Sequence, residues 1–318
     1  MTDSHSNNII PLKNDLNLAV IGNCSFAALV NRRARINWAC LPHFDGDPVF
    51  CSLVDDNRED EPEYGFWDIE LVNLVKHEQH YIPNTAVLET ILTDEDGNAI
   101  KITDFAPRYM HYGRRYKPST ICRIVEPLSG SPRAKIRLRP RFNYGETAPR
   151  VTRGGNHIRY TSADLTLRLT TDAPATYILN ETTFIIDKKY TFFFGPDEPL
   201  RQTIDVSGVR FLEETENYWR EFVRSLALPF EYQDALIRSA ITLKLCTFEE
   251  TGAVLAALTS SIPEAPGSKR NWDYRYCWIR DSLFVINALN RLSTTRTMED
   301  YIHFIMNASM IDEAKDLQ

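Results

Sequence analysis

A large antiparallel β-sandwich followed by helices, mainly β plus α, is the fold this sequence predicts, on three observations. Before residue 208, short apolar or alternating runs are separated by turn signals. After residue 208 the apolar spacing changes to about 3.6. At 318 residues, 43% hydrophobic and 25% charged, the chain has the length and composition for two packed globular domains.

The strand candidates, in order, are LAVIG, FAALV, RINWACL, AVLETILT, AIKITDF, TICRIVEPL, AKIRLRPRF, HIRYTS, DLTLRLTT, ATYILN, FIID and YTFFFG. DEDGN between the fourth and fifth reads as a hairpin turn, and RGGN at 153–156 as a hairpin tip. From Lys135 to Arg141 the pattern alternates, with Ile136 and Leu138 on one face and Lys135, Arg137, Arg139 and Arg141 on the other. A dozen such strands with no helical segment between them make a sandwich. In GVRFLEETENYWREFVRSL, Phe211, Leu212, Tyr218, Trp219, Phe222, Val223 and Leu226 recur at helical spacing, and Pro229 ends that helix. EYQDALIRSAITLKLCTFEE is a second helix, and SSIPEAPGSKR is a loop. DSLFVINALNRL is a third helix with Asp281 as its N-cap, and MEDYIHFIMNASMIDEAKDLQ a fourth. The expected organisation is a β domain over 1–207, a connecting helix over 208–230 and a helical segment over 231–318. That last part, with about three helices, is short for a core of its own.

Composition removes several function classes. The net charge of −7 disfavours a general nucleic-acid binder. MTDSHSNNIIPLKNDLN carries no basic stretch followed by an apolar one, and the longest apolar runs are too short to span a bilayer. A cytoplasmic protein with no membrane partner is expected. Cys24, Cys40, Cys51, Cys122, Cys246 and Cys277 form no CxxC pair and read as reduced thiols. Asp45 and Asp47 in FDGDPVF sit two apart, as in Ca²⁺ loops, but lack further ligands and read as a turn. His77 and His80, three apart, suit one helix face, without a metal-spaced acidic or sulfur partner. The basic strand face at 135–141 reads as solvated.

One stretch fits no plain element. Residues 271–281, NWDYRYCWIRD, hold four aromatics, two arginines and two aspartates. Tryptophan and tyrosine offer flat apolar faces with polar edges, which suits the C–H faces and hydroxyl rims of a pyranose. Arg280 offers a planar fork of donors and Asp281 can accept two hydroxyl protons. The plainer account stays open: Asp281 caps the helix, Arg280 pairs with an acid and the rings are core.

TGAVLAALTSSIPEAPGSKRNWDYRYCWIRDSLFVINALNRL resembles the first part of the catalytic domain in glycoside hydrolase family 15, the glucoamylase and bacterial trehalase family. AVIGNCSFAALVNRRARINWACLPHFDGDPVFCSLVD resembles the start of the β-sandwich of its prokaryotic members. The resemblance implies a β-super-sandwich followed by the first helices of an incomplete (α/α)6 barrel. It implies an inverting, exo-acting α-glucoside hydrolase, glucoamylase-like as the main reading and an α,α-trehalase as the alternative. Tyr274, Trp278, Arg280 and Asp281 match positions that line the subsite for the terminal glucose. FDGDPVF is expected to pack against the barrel.

Inverting hydrolysis needs two carboxyl groups roughly 6.5–9.5 Å apart, one as acid and one as base. In the family both are glutamates further along the barrel. The general acid and the general base are therefore expected beyond Gln318, no catalytic residue is assigned in this chain, and Glu249, Glu250 and Glu264 receive neither role. Leu258 stands where relatives usually carry proline. The 318-residue chain is expected to be inactive alone and to self-associate through exposed helix faces. Malto-oligosaccharide, isomalto-oligosaccharide or trehalose is the expected substrate. Acid–base hydrolysis needs no metal or organic cofactor, although some bacterial trehalases of this family depend on phosphate or Mg²⁺. A second alternative is a non-catalytic sandwich that serves as a scaffold or a weak carbohydrate binder.

Overall fold

The computed structural model describes residues 16–54, 63–260 and 271–312. Strands β1 (Leu18–Gly22), β2 (Ala27–Asn31), β3 (Ile36–Cys40), β4 (Pro48–Phe50), β5 (Phe66–Leu71), β6 (Leu74–Tyr81), β7 (Leu88–Asp94) and β8 (Ala99–Phe105) come first. A small hairpin of β9 (Tyr109–His111) and β10 (Arg114–Tyr116) follows. Then come β11 (Ile121–Ser129), β12 (Arg133–Arg139), β13 (Arg150–Arg153), β14 (His157–Thr161), β15 (Thr166–Thr171), helix α1 (Ala175–Leu179), β16 (Phe184–Ile185) and β17 (Tyr190–Pro196).

Two antiparallel sheets result. One orders β1-β2-β3-β5-β12-β16, with β4 on β3; the other orders β13-β14-β15-β17-β11-β8-β7-β6. Their inner faces share one core, in which Trp67, Phe50, Phe192 and Phe194 meet Ile100, Ile102 and Ile136. The β-sandwich followed by helices is thus as expected. Alternation builds it: in β7, buried Leu88, Thr90, Leu92 and Asp94 alternate with half-buried neighbours. The DEDGN turn joins β7 to β8, with Gly97 at φ +81°. RGGN joins β13 to β14. At the core centre, Arg123 of β11 meets Asp104 of β8 at 2.7 Å and also donates to the Trp67 and Ala34 carbonyls; both side chains are fully buried. The predicted basic face of β12 is ion-paired as well as solvated: Arg137 bonds Asp68 at 2.7 Å and Arg139 bonds Glu181 at 2.6 Å.

Helix α2 (Ile204–Arg224) then crosses the outer wall of the sandwich. Phe211 packs on Phe105, Cys122 and Phe193, while Trp219 and Val223 pack on Val20 and Ala27. Gly208 allows the close approach, since a Cβ there would stand 2.8 Å from the Thr191 methyl. Helix α3 (Gln233–Leu245), a short hairpin of β18 (Thr247–Phe248) and β19 (Ala253–Val254), and helices α4 (Ile279–Arg291) and α5 (Thr295–Asp312) complete the described chain.

Several expectations are corrected. ATYILN is helix α1, not a strand, so the β region does contain a helical turn. Helix α2 starts at Ile204, ahead of residue 208. Helix α3 ends at Leu245, and the residues after it turn into β18. FWDIEL and LVKHEQHY are strands that the pattern did not single out. His77 and His80 lie on β6, where a separation of three puts them on opposite faces; His80 meets Glu89 across the ladder at 3.3 Å. Among the described residues, no group of three His, Cys, Asp or Glu side chains could hold a metal. Cys24, Cys40, Cys51 and Cys122 are buried and Cys246 and Cys277 half-buried, none of them in a disulfide. Residues 261–270, most of the predicted loop, lie outside the described residues, and Glu264 with them. So does Gln318, the position past which the acid and base are expected: the fourth helix is described only as far as Asp312, not to Gln318.

Candidate functional site

The stretch 271–281 lies between the sandwich and α4. Its main chain is held by a neighbouring strand-like run: Ala257 N–H donates to the Tyr274 carbonyl at 2.8 Å, and Ala256 N–H to the Tyr276 carbonyl at 3.3 Å. That run is held by the sandwich, because Trp38 Nε1 of β3 donates to the Leu258 carbonyl at 2.8 Å. The same contact explains why every residue of β3 is buried, since the run and stretch cover the face that the second sheet does not.

Burial alternates from Trp272 to Trp278. Trp272, Tyr276 and Trp278 are exposed and Tyr274 half-exposed, while Asp273, Arg275 and Cys277 point inward to different depths. Arg275 is 8% exposed. Its Nε and Nη2 grip Asp273 at 3.0 and 2.7 Å, its Nη1 donates to the Gly46 carbonyl at 2.6 Å and meets Cys40 Sγ at 3.4 Å, and its Nη2 donates to the Tyr144 hydroxyl. FDGDPVF therefore does pack against the stretch, through Gly46. Burial alone would push the Asp273 carboxyl up, but the bonds from Arg275 outweigh it and hold it below the usual carboxylate range.

The outward side carries rings. Tyr274 and Trp278 have centroids 5.9 Å apart at 36°, and Trp272 meets Trp278 edge-on at 6.1 Å. Trp278 Nε1 donates to the Asp273 carbonyl at 3.1 Å, which fixes the indole plane. These rings are not core. Trp278 is also the residue that starts α4: it sits at the N-cap, with no side-chain capping bond. Asp281 is therefore not the N-cap. It lies in the first helical turn, where a carboxylate is favoured by the helix dipole. Arg280 and Asp281 are neighbours whose charged groups stand 3.6 Å apart, with the Arg280 side chain 79% exposed. That distance is an ion pair too long for a hydrogen bond. The Arg280 guanidinium is open to solvent and the Asp281 carboxylate partly so. The four predicted residues thus lie on one stretch, with Trp278 and Arg280 exposed and Tyr274 and Asp281 half-buried.

Sequence reasoning missed the inward half. Asp273 and Arg275 were counted as part of a mixed segment, although their alternation with the rings could have separated them. It also missed a second cluster. Glu249, just after β18, bonds Arg108 at 2.6 Å, Lys244 at 2.7 Å and Arg115 at 2.9 Å, with its side chain 3% exposed. Burial would raise its carboxyl, but the cations beside it win and hold it ionised, well below the usual range. Arg108 also donates to the Asn23 carbonyl at 2.5 Å and to the Tyr218 hydroxyl at 2.7 Å. The cluster joins the sandwich, α2, α3 and the β18–β19 hairpin. A carboxylate held by three cations neither donates nor takes up a proton near neutral pH, so Glu249 serves as a lock.

Residues 14–181 match the family described as "Trehalase-like, N-terminal", and residues 231–317 match "Glycosyl hydrolases family 15". A trehalase of Thermoplasma volcanium is 30% identical over 305 residues, covering 90% of this chain and 46% of that protein. A trehalase of Thermoplasma acidophilum is 30% identical over 285 residues, covering 88% and 48%. A trehalase of Mycobacterium tuberculosis is 27% identical over 339 residues, covering 94% and 48%. The chain spans about half the length of the curated relatives it matches.

Proposed function

The chain belongs to glycosyl hydrolases family 15, with a trehalase-like N-terminal domain, and we propose that it forms the sandwich and the sugar-gripping part of an α,α-trehalase. The observation that carries this reading is the set of relatives, all named trehalase. They favour trehalose over the malto-oligosaccharides of the glucoamylase-like expectation. The outward chemistry of the 271–281 stretch supports a hexose ligand. One glucose of trehalose rests its C–H face on Tyr274 and Trp278, and its hydroxyls bond Arg280 and Asp281.

Cleavage with inversion splits the bridging C–O bond as a water attacks the anomeric carbon. An acid protonates the departing oxygen, and a base takes the proton from the water. Neither role falls on the carboxylates described around the stretch. Asp273 is held by Arg275 and Glu249 by three cations, and Asp281 is assigned to the sugar. No acid or base is assigned among these carboxylates, and the role proposed for this chain is to grip the sugar. The chain also exposes Ile279, Leu283 and Phe284 at 74%, 56% and 68%, and this face makes it self-associate. No helix among the described residues is long and apolar enough to cross a membrane.

Saturation-transfer NMR of the purified chain against millimolar trehalose and maltose tests the reading. Transfer to trehalose is expected, weaker transfer to maltose, and loss of the trehalose signal in Arg280→Ala, since a charged hydrogen bond is worth about tenfold or more in affinity. Equal transfer to both sugars, or a signal indifferent to Arg280→Ala, refutes it. Glucose release from trehalose by the chain alone would show that acid and base lie within it.

A further inference from the structure

We infer that Tyr144 of the sandwich, together with the Asp273–Arg275 pair, is a positioning device that holds the stretch 274–281 in the shape that receives the sugar. The inference rests on the sugar reading of that stretch and adds to it the origin of its geometry.

The first observation is backbone conformation. Asn143, Tyr144 and Gly145 are consecutive residues at φ 50°, 53° and 99°. Left-handed backbone is disfavoured for residues with a Cβ, and two such residues in a row persist only where surrounding structure enforces them. Here the surroundings do. Phe142 and Thr147 close the loop with reciprocal 3.0 Å bonds. Gly145 sits so near Tyr64 that a Cβ would stand 2.9 Å from its ring. The strained conformation does not bury Tyr144 itself, which is 44% exposed. What it achieves is the placement of one phenol oxygen on Arg275.

The second observation is the use of Arg275. Its fork is spent on four partners from two regions: Asp273 within the stretch, and Cys40, Gly46 and Tyr144 from three separate places in the sandwich. Asp273 in turn accepts the Arg275 backbone N–H at 3.0 Å, which closes a local turn. A ring of contacts thus fixes the inward residues, and alternation turns the outward ones toward solvent. The Asp273 carbonyl then sets the Trp278 indole. A lysine at 275 would keep the charge but could not span these partners, because its ammonium lacks the planar fork.

The third observation is that strain and tether coincide. The loop's nearest functional feature is the stretch itself, and Arg275 lies 5.6 Å from the centre of the Tyr144 ring. The β-sandwich is then part of the sugar site's construction, although no residue of it is assigned to touch the sugar.

The test is hydrogen exchange with sugar binding on the full chain. Ala256, Ala257 and Arg275 amides report the tether, because they bond to Tyr276, Tyr274 and Asp273. Tyr144→Phe removes only the hydroxyl. It is expected to speed exchange at these three amides by about tenfold, as for the loss of one charged hydrogen bond. Amides of β8 and β11 and the global unfolding midpoint should stay within error, and trehalose transfer to Trp278 should weaken in parallel. Arg275→Lys should do the same more strongly. Unchanged exchange in both variants overturns the inference. So does faster exchange with trehalose affinity intact, since the tether would then hold the chain without shaping the site. If the unaltered chain binds no sugar while exchange still responds, the sugar reading fails and the mechanical tether stands.

Discussion

The two ends of this molecule solve the burial problem differently. The sandwich closes on itself: Trp67, Phe50, Phe192 and Phe194 are fully enclosed by two sheets whose strands supply both walls. The helices borrow their core. Trp219, Ile237, Ile241 and Leu245 pack on Val20, Ala27 and Phe44 of the sandwich, and Leu289 with Ala240 and Leu226 forms a small cluster without sandwich residues. Helix α4 shows the consequence along its own length. Ile286 and Leu289, in its second half, are buried, while Leu283 and Phe284, nearer its start, are exposed. The sandwich is a fold in its own right, and the described helices are a layer organised by its outer wall. The stretch 271–281 sits at the seam, tethered to the self-sufficient side.

The largest expected effect tests self-sufficiency. In Asp104→Ala the Arg123 guanidinium is left buried without its counter-charge, and removal of one partner from such a pair costs about 3–5 kcal/mol. Urea unfolding followed by Trp fluorescence should show the whole chain destabilised, because the helices have no wall without the sandwich. Loss of the sandwich signal with α3 and α4 still protected from exchange would break the comparison.

A smaller effect isolates the seam. Glu249→Gln leaves the fold of both sides intact but weakens the lock to Arg108, Lys244 and Arg115, at about 1.5–3 kcal/mol for hydrogen bonds to charged groups. Faster exchange in α3, with β8 and β11 unaffected, is the expected signature. The pH sign follows from the direction of the shift. Glu249 is lowered from an ordinary 4.5, so its stabilisation is complete above that value and is lost as pH falls toward the folded one. The unaltered chain should loosen its helices between about pH 5 and more acidic values, and Glu249→Gln should show a flatter dependence there. An equal acid response in both forms would place the acid-sensitive group elsewhere.

These contrasts also explain which parts the sequence discloses. Where a strand has one wet and one dry face, as in β7 and β12, alternation announces it. Strand β6 is an edge of its sheet, with Lys76 and Glu78 paired on its surface. With little apolar face to show, it left no pattern. ATYILN holds five helical residues, too short a run for periodicity to tell a turn of helix from a strand. The outward rings of 271–281 were legible because their chemistry is unusual for a surface. Their tether was not, because Arg275 meets Gly46 from 229 positions away and Arg108 meets Glu249 from 141. Pairings at such range leave no local mark in a single sequence.

The smallest effect on stability carries the most direct reading of the open side. Phe284→Ser and Leu283→Ser alter residues 68% and 56% exposed, and substitutions at such positions usually change stability by about 0.5 kcal/mol or less. Unfolding midpoints should barely move. Their effect should fall instead on association, since the two residues add to the exposed apolar surface that Ile279 begins on α4. Light scattering of the unaltered chain should show concentration-dependent growth in mass, and the double variant should stay monomeric at the same concentrations. Comparable surface leucines on the sandwich, such as Leu128 at 50% exposure, serve as controls, because the sheets around it already have a complete core and Leu128→Ser should leave association unchanged. Should Leu128→Ser abolish growth in mass and the α4 pair leave it intact, the sandwich would be the sticky side, and the division between a closed and an open half would be reversed.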